Sequence, residues 1–368
     1  MTITKVTDAG IDRNRIVTPI IINGDMQVAQ RATSVTSHNA VSYTTVDRFK
    51  TVCEVGTYTV IQESLTSGNA YLNGFKKALR LDTTTAEASA GSAGEQTTIE
   101  QRIEGQNLQQ FLKGTANAKP FTLAFWVKAS KTGSNLQVNL RDADNTRQVG
   151  GTYDIDAADT WEKKVINFPA DTTGAFDNDN ANSLTIEWFL DGGSNYSGGA
   201  VPTAWEASAN ADRNVTNFDL AGSTDNDWAL TGVQLEVGTF DANTIPSFPF
   251  EDAENNLRRC RRYYEMTVNK DVNKVIATGG CYQSDVLSIN YQWYPKRATP
   301  SIDQGSGTNY FGFNRGGGAI TFNSIKIYSA TATNGLLYSD DGVSASTYEN
   351  GWIYIANSSA YMALDSEL

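Results

Sequence analysis

Any chemistry in this chain must come from carboxylates, arginines and aromatic rings, because its 368 residues include one histidine and three cysteines. His38 lies in a Ser/Thr-rich stretch with no second histidine to share a zinc ion, and no catalytic triad can be built on it from sequence spacing. Cys53, Cys260 and Cys281 are odd in number and far apart. They give neither a disulfide framework nor a CxxC metal signature, and read as reduced core thiols of a protein made in a cytoplasm. Acidic pairs are commoner: Asp142/Asp144, Asp154/Asp156, Asp177/Asp179 and Asp340/Asp341. The run Asp177-Asn178-Asp179-Asn180 resembles the opening of a calcium loop, without the Gly and bidentate Glu of an EF-hand. Structural calcium near Asp177 and Asp179 is therefore the one cofactor the sequence suggests, with solvated turns as the alternative. Carboxylates are too many to single out the acid and base of a glycosidase, and no catalytic residue is assigned.

The aromatic rings offer a binding chemistry instead. Tyr196 and Trp205 sit in or beside a Gly-rich loop, Tyr310, Phe311 and Phe313 stand near Gly316 to Gly318, and Tyr348 and Trp352 flank another turn. Trp126 and Phe189 fall on strand faces opposite the expected core. Rings on short loops suit sugars, since each supplies a flat apolar surface at little entropic cost. Tyr196, Trp205, Tyr310, Phe311, Tyr348 and Trp352 are accordingly the candidate ligand-binding residues; the alternative is that they fill cores or a subunit interface. The cations argue against nucleic acid: 29 Lys and Arg stand against 41 Asp and Glu, a net charge of −12, and phosphate-backbone binding needs a basic footprint. The cluster from Arg258 to Arg262 is expected to pair with acidic residues of its own or a neighbouring subunit.

The elements that must position these residues are mostly strands. With 31 Gly, many Ser, Thr and Asn, and 10% aromatics, the composition fits short strands joined by turns. Phe121, Leu123, Phe125 and Val127 share one strand face, as do Leu136, Val138 and Leu140, and Leu184, Ile186, Trp188 and Leu190. No helical pattern is long enough for βαβ crossovers. The spacing of Ala253, Leu257, Cys260 and Tyr264 predicts a short helix buried on that face. After it, Val286 to Trp293 and three further segments separated by Gly-containing turns predict a small hairpin-built domain. The expected fold is all-β: a polar arm over residues 1–19, a jelly-roll-like antiparallel β-sandwich over 20–250, a helical linker over 251–270 and a C-terminal β domain over 271–368. Ile20 to Ile22 reads as a short strand entering an Asn23-Gly24 turn, and Thr33 to Thr45 as a surface loop. The longest early apolar run, Ile16 to Ile22, is too short for a membrane span or signal peptide, so no membrane insertion is expected.

Several motifs in one order carry a family resemblance: NGDMQVAQR (Asn23 to Arg31), VDRF (Val46 to Phe49), QRIEG (Gln101 to Gly105), FTLAFWVKAS (Phe121 to Ser130), WEKKVINF (Trp161 to Phe168), VQLEVG (Val233 to Gly238), CRRYYE (Cys260 to Glu265) and YPKRATP (Tyr294 to Pro300). Over roughly residues 20 to 300 the chain resembles a module of tail-fibre-like structural proteins of environmental and marine bacteriophages. The resemblance implies a virion structural or host-adhesion protein that is not an enzyme, built as a homo-oligomer with three-fold symmetry, and it stops short of a ligand; contact with host surface glycans is the expectation from the loop aromatics, and docking on other virion proteins the expectation from the arm. A glycan-degrading tail enzyme and an architectural adaptor are the alternatives. The arm has no apolar period on which to fold alone. Deleting Met1 to Thr18 is expected to leave a soluble, folded protein that fails to enter particles, as measured by particle composition.

Overall fold

A computed structural model describes residues 18–87 and 91–368; the arm of residues 1–19 lies outside the described residues except for Thr18 and Pro19. The expected all-β class is what the chain adopts, in four sheets whose strand pairings are antiparallel. Two of them form the sandwich. Across the first, the strands run Ser34–His38, Thr57–Ser64, Lys77–Thr85, Asp227–Val237, Phe121–Ala129 and Glu162–Phe168. The second runs Glu206–Ala207, Arg147–Ile155, Gly133–Asp142, Asn182–Gly192, Gln96–Glu104, Phe49–Cys53 and Val41–Tyr43. Thr57–Ser64 with Lys77–Thr85, Gly133–Asp142 with Arg147–Ile155 and Val41–Tyr43 with Phe49–Cys53 pair as sequence neighbours, and the other pairings of the two sheets join strands distant in sequence, as in a jelly roll.

The three predicted apolar rows meet between these sheets. Phe121, Leu123, Phe125 and Val127 face Leu136, Val138, Leu140, Leu184, Ile186 and Trp188 in one buried cluster. Phe125 joins the layers by edge-to-face contacts with Trp188 and Tyr153, at centroid separations of 5.7 and 5.2 Å. The Asn182–Gly192 strand is buried on both faces, because the long loop after it folds over the sheet's outer side. Two expectations at the start of the sandwich fail. Residues 20–22 form a bend, not a strand, and the stretch read as a loop contributes the strands Ser34–His38 and Val41–Tyr43. The Asn-Gly turn is present, with Asn23 at φ 60°. The glycine serves close approach: a Cβ on Gly24 would lie 2.2 Å from the Val233 carbonyl oxygen.

The C-terminal module begins earlier than expected. Tyr264–Asn269, inside the stretch assigned to the linker, pairs with Tyr361–Asp365, which also pairs with Ser301–Gln304. The remaining strands build a seven-stranded sheet in the order Gly318–Phe322, Phe311–Arg315, Asn350–Ile355, Val275–Gln283, Val286–Gln292, Asn334–Ser339 and Lys326–Ala330. Its inner face, with Leu287, Ile289, Phe311, Phe313, Leu337, Ile353 and Ile355, closes a second core. No described helix is long and apolar enough to cross a membrane.

The helix spans Ala253–Arg261, and the Asp252 carboxylate caps it by accepting from the Asn255 N–H at 2.9 Å. Its buried face is rotated from the predicted one. Asn256, Cys260 and Tyr263 are buried, Leu257 is half-buried and Ala253 is exposed. The reason is polar: Asn256 donates to Asp25 at 3.1 Å, so the helix docks by a buried amide, which an apolar-periodicity reading does not see.

That docking belongs to a junction where most of the charged landmarks meet. Arg48, almost fully buried, pairs with Glu367, donates to the Arg102 carbonyl at 2.6 Å and stacks 3.4 Å from the Tyr263 ring centroid. Arg31 stacks on Tyr264 at 3.4 Å and reaches Asp365 at 3.3 Å and Glu367 at 3.5 Å. Arg262 grips Glu104 with two bonds of 2.7 and 2.8 Å. Lys296 binds Glu265 and the Arg261 carbonyl, both at 2.6 Å. Two arginines of the cluster thus pair with carboxylates of the chain, Arg262 with Glu104 and Arg259 with Glu251 at 2.5 Å, while Arg258 donates to Asn255 at 3.1 Å. Burial pushes the Glu367 carboxyl above its ordinary value, against the pull of Arg48 and Arg31.

Removing one partner of such a pair strands the other's charge. Arg48→Ala is expected to destabilise by about 3–5 kcal/mol, and Arg48→Met with Glu367→Leu to recover much of that loss, as read by chemical unfolding. Asp25 gives a pH signature: burial raises its carboxyl to about 6. Its folded-state value exceeds the unfolded one, so its ionisation destabilises the fold above that value and has no effect below the ordinary carboxylate range. Asp25→Asn is expected to raise the melting temperature at pH 7.5 and to leave it unchanged near pH 3.5.

Candidate functional site

The outer face of the seven-stranded C-terminal sheet is the surface where exposed rings and free polar groups coincide. Period-two alternation produces it. Ile353 and Ile355 point into the second core, so Trp352 and Tyr354 point out; Leu287 and Ile289 point in, so Ser288 and Asn290 point out. The registers align these residues across strands: Asn314, Trp352, Thr278, Asn290 and Leu336 form one row, and Asn350, Gly280, Ser288, Tyr338 and Lys326 the next. Tyr348 is 83% exposed, Tyr328 71%, Tyr282 56% and Trp352 47%.

Glycines keep the platform flat. A Cβ on Gly312 would lie 2.1 Å from Cζ of Tyr354, so the tyrosine ring lies directly over the backbone of its neighbouring strand. Tyr348 adopts φ 68°, a left-handed conformation that costs a tyrosine about 1–2 kcal/mol. Its N–H donates to the Cys281 carbonyl at 2.6 Å, and the next residue, Glu349, pairs with Arg315 at 2.8 Å. The loop is thereby held with the ring outward. The two aligned rows carry Asn, Ser and Thr side chains and one lysine, Lys326, which is paired with Asp340 at 2.5 Å. The side chains of Thr278, Ser288, Asn290 and Asn314 make no hydrogen bond among the described residues. Rings beside unpaired amides and hydroxyls, without net charge, can stack on the apolar face of a neutral sugar and bond its rim.

Of the six predicted binding residues, only Tyr348 and Trp352 stand open on this face. Phe311 and Phe313 are fully buried in the second core. Tyr310 is half-buried over Gly305 and Gly307. Tyr196 is buried against Phe189 and donates to the Gly94 carbonyl at 3.0 Å. Trp205 is buried against Phe121, donates to the Pro169 carbonyl at 2.9 Å and lies over the Lys113 ammonium at 4.8 Å. Neither ring of the sandwich pair presents a face to solvent, because the loop carrying them folds back as a cover for the second sheet. Phe189 is buried beneath it and Trp126 is half-buried. Tyr282, Tyr328, Tyr338 and Tyr354 went unassigned in the sequence, although alternation along their strands, with Cys281, Leu337 and Ile353 inward, was signal enough to place them outward.

The other chemical candidates are tied into the fold. His38 is buried, with Nε2 3.1 Å from the Thr51 hydroxyl, and burial lowers its pKa. Asp142 holds the fully buried Lys113 at 2.5 Å, Asp156 pairs with Lys164 at 3.1 Å, and Asp341 accepts from Asn323 and Ser324. Asp177 and Asp179 are exposed; the Asp179 carboxylate accepts from the Ala181 N–H at 2.9 Å. Among the described residues no group of three or more His, Cys, Asp or Glu side chains converges as a metal site would.

No protein-family model matches the sequence, and no curated protein matches it. Solved structures show distant similarity to it. The enzymatically active domain of tailspike protein 4 of bacteriophage CBA120 is 12% identical over 60% of this chain, with a TM-score of 0.29, and the match covers 21% of that chain. A putative sugar binding protein from Bacteroides thetaiotaomicron is 13% identical over 60% of this chain and all of its own, with a TM-score of 0.31. A tandem CBM22 domain from Paenibacillus barcinonensis is 8% identical over 95% of this chain and 98% of its own, with a TM-score of 0.28.

Proposed function

We propose that the protein is a virion appendage component that attaches to neutral host-surface glycans through the outer face of its C-terminal sheet. The observation that carries the binding part is the coincidence of Tyr348, Trp352, Tyr282 and Tyr328, all exposed, with unpaired Asn, Ser and Thr side chains on one flat, weakly charged face. The landmark motifs support the virion setting, as a homotrimer docked through its N-terminal arm, in the manner of tail-fibre-like proteins. On this reading the chain binds glycan without cleaving it, and the acidic pairs serve as turn and ion-pair partners.

Each ring in an aromatic contact contributes about 0.5–1.5 kcal/mol beyond its buried area. Tyr348→Ala with Trp352→Ala is therefore expected to weaken binding to bacterial surface polysaccharides on a glycan array by roughly ten- to a hundredfold. Oligomer size by light scattering and the melting temperature should stay as in the parent. Undiminished binding overturns the assignment of this face. Altered oligomer size with retained binding makes the face a subunit contact, and release of reducing ends from the polysaccharide makes the chain a hydrolase.

A further inference from the structure

A cleft with polar groups of its own lies on the other module. On the outer side of the first sheet a cleft of about 340 Å3 opens between the end of the Thr57–Ser64 strand, the Gly68–Leu72 helix and the loop that ends at Trp161. The volume sits at the lower end of the range for small-molecule sites. Glu63, Lys128, Asp159, Thr160, Trp161 and Ser67 are among the residues around it.

The polar groups of this cleft are placed but not satisfied. Glu63 sits between two cations at ion-pair distance, Lys128 Nζ 3.9 Å from Oε2 and Arg80 Nη1 3.9 Å from Oε1, both beyond hydrogen-bond length, and neither the Glu63 nor the Lys128 side chain makes a hydrogen bond among the described residues. Glu63 Oε2 is buried without a hydrogen bond, which costs free energy, while the Glu63 side chain as a whole is a quarter exposed. The walls are set in advance. The Asp159 N–H donates to the Ala129 carbonyl at 2.7 Å, Glu162 accepts from the N–H groups of Asp156 and Ala157, and Asn69 donates to the Trp161 carbonyl at 3.3 Å. The Trp161 indole forms an apolar wall 5.7 Å from the Lys128 ammonium. At Gly68, with φ +87°, a Cβ would stand 3.2 Å from the indole Cδ1, so glycine lets the backbone approach the ring closely.

An ammonium donor beside a carboxylate acceptor, each with bonding capacity left, matches neighbouring hydroxyls on a sugar ring: one hydroxyl donates to Glu63 and the next accepts from Lys128. Glu63 and Asp159 outnumber Lys128, and the pair behind them, Arg80 with Asp227 at 3.1 Å and Asp82 at 2.8 Å, adds no positive excess. We propose that this cleft binds a neutral saccharide unit of one or two rings and rejects anionic sugars. The proposal deepens the glycan-binding reading by adding a site on the sandwich that shares no residue with the C-terminal face.

The test uses the full chain, titrated calorimetrically and by saturation-transfer NMR with methyl glucoside, methyl galactoside, methyl mannoside and N-acetylglucosamine, and with glucuronic acid as the anionic probe. At least one neutral sugar should bind the parent and the Tyr348→Ala/Trp352→Ala variant alike, at least tenfold more weakly in Glu63→Gln/Lys128→Gln, and glucuronic acid should not bind. If the double cleft variant melts early, Lys128→Gln alone carries the test, with the same tenfold loss expected. The proposal is overturned if no neutral sugar binds the variant lacking Tyr348 and Trp352, or if the cleft variants keep affinity within twofold. Loss of all binding in the face variant, with the cleft variants unaffected, would leave the C-terminal face as the site and remove the cleft.

Discussion

The structure depends on a cation buried where two modules meet. Arg48 is almost entirely removed from water, and a guanidinium there is tolerable only because its charge is met from both sides, Nη1 by the Glu367 carboxylate, Nη2 by the Arg102 carbonyl and the plane by the Tyr263 ring. Those partners come from three distant parts of the chain. The junction therefore forms only when the sandwich edge, the helix and the final residues are all in place. Arg31, with Tyr264 and Asp365, repeats the arrangement alongside it. A contact between modules is ordinarily polar and yielding; one made of buried paired charges fixes a register, since any slip exposes a charge to an apolar wall or leaves it alone.

The same device recurs where the sandwich covers its second sheet. Arg213 reaches Glu187 through Nη2, with Asn139 donating to the same carboxylate, beneath the loop that follows the Asn182–Gly192 strand. Lys113, with no exposed surface, is held by Asp142, Asp171 and two carbonyls while Trp205 lies over it. These networks use up the polar side of the sheet. What would be an open face in a smaller sandwich is a second interior here.

The fold was legible because its signal is repetitive. Rows such as Phe121 to Val127 and Leu184 to Leu190 alternate over many residues, and a strand so marked has one stable way to face a core. The proposed binding surface was half legible. Tyr348 and Trp352 stand in a turn and on a strand whose alternation marks them as outward, whereas Tyr196 and Trp205 read as exposed only because their loop is rich in glycine. A glycine-rich loop is as able to fold back over a sheet as to stand in water, and what decides between them is a partner distant in sequence: Gly94 for Tyr196, Pro169 for Trp205. The helix shows the same limit. Its buried face turns on Asn256 and Asp25, 231 residues apart, and a hydrophobic period is blind to an amide satisfied at that distance.

Motif and site also separate for a physical reason. The charged landmarks NGDMQVAQR, VDRF, QRIEG, CRRYYE and YPKRATP contribute Arg31, Arg48, Arg102, Glu104, Arg262, Tyr263 and Lys296 to the junction. Such a network tolerates little change, since each member is the counter-charge or donor of another. An aromatic platform obeys the opposite rule: its rings act by area and flatness, and any planar side chain at an outward strand position can supply both. The residues easiest to recognise in the sequence are therefore those that hold the modules in register. The face that register presents is built from positions whose only shared requirement is to point away from the core.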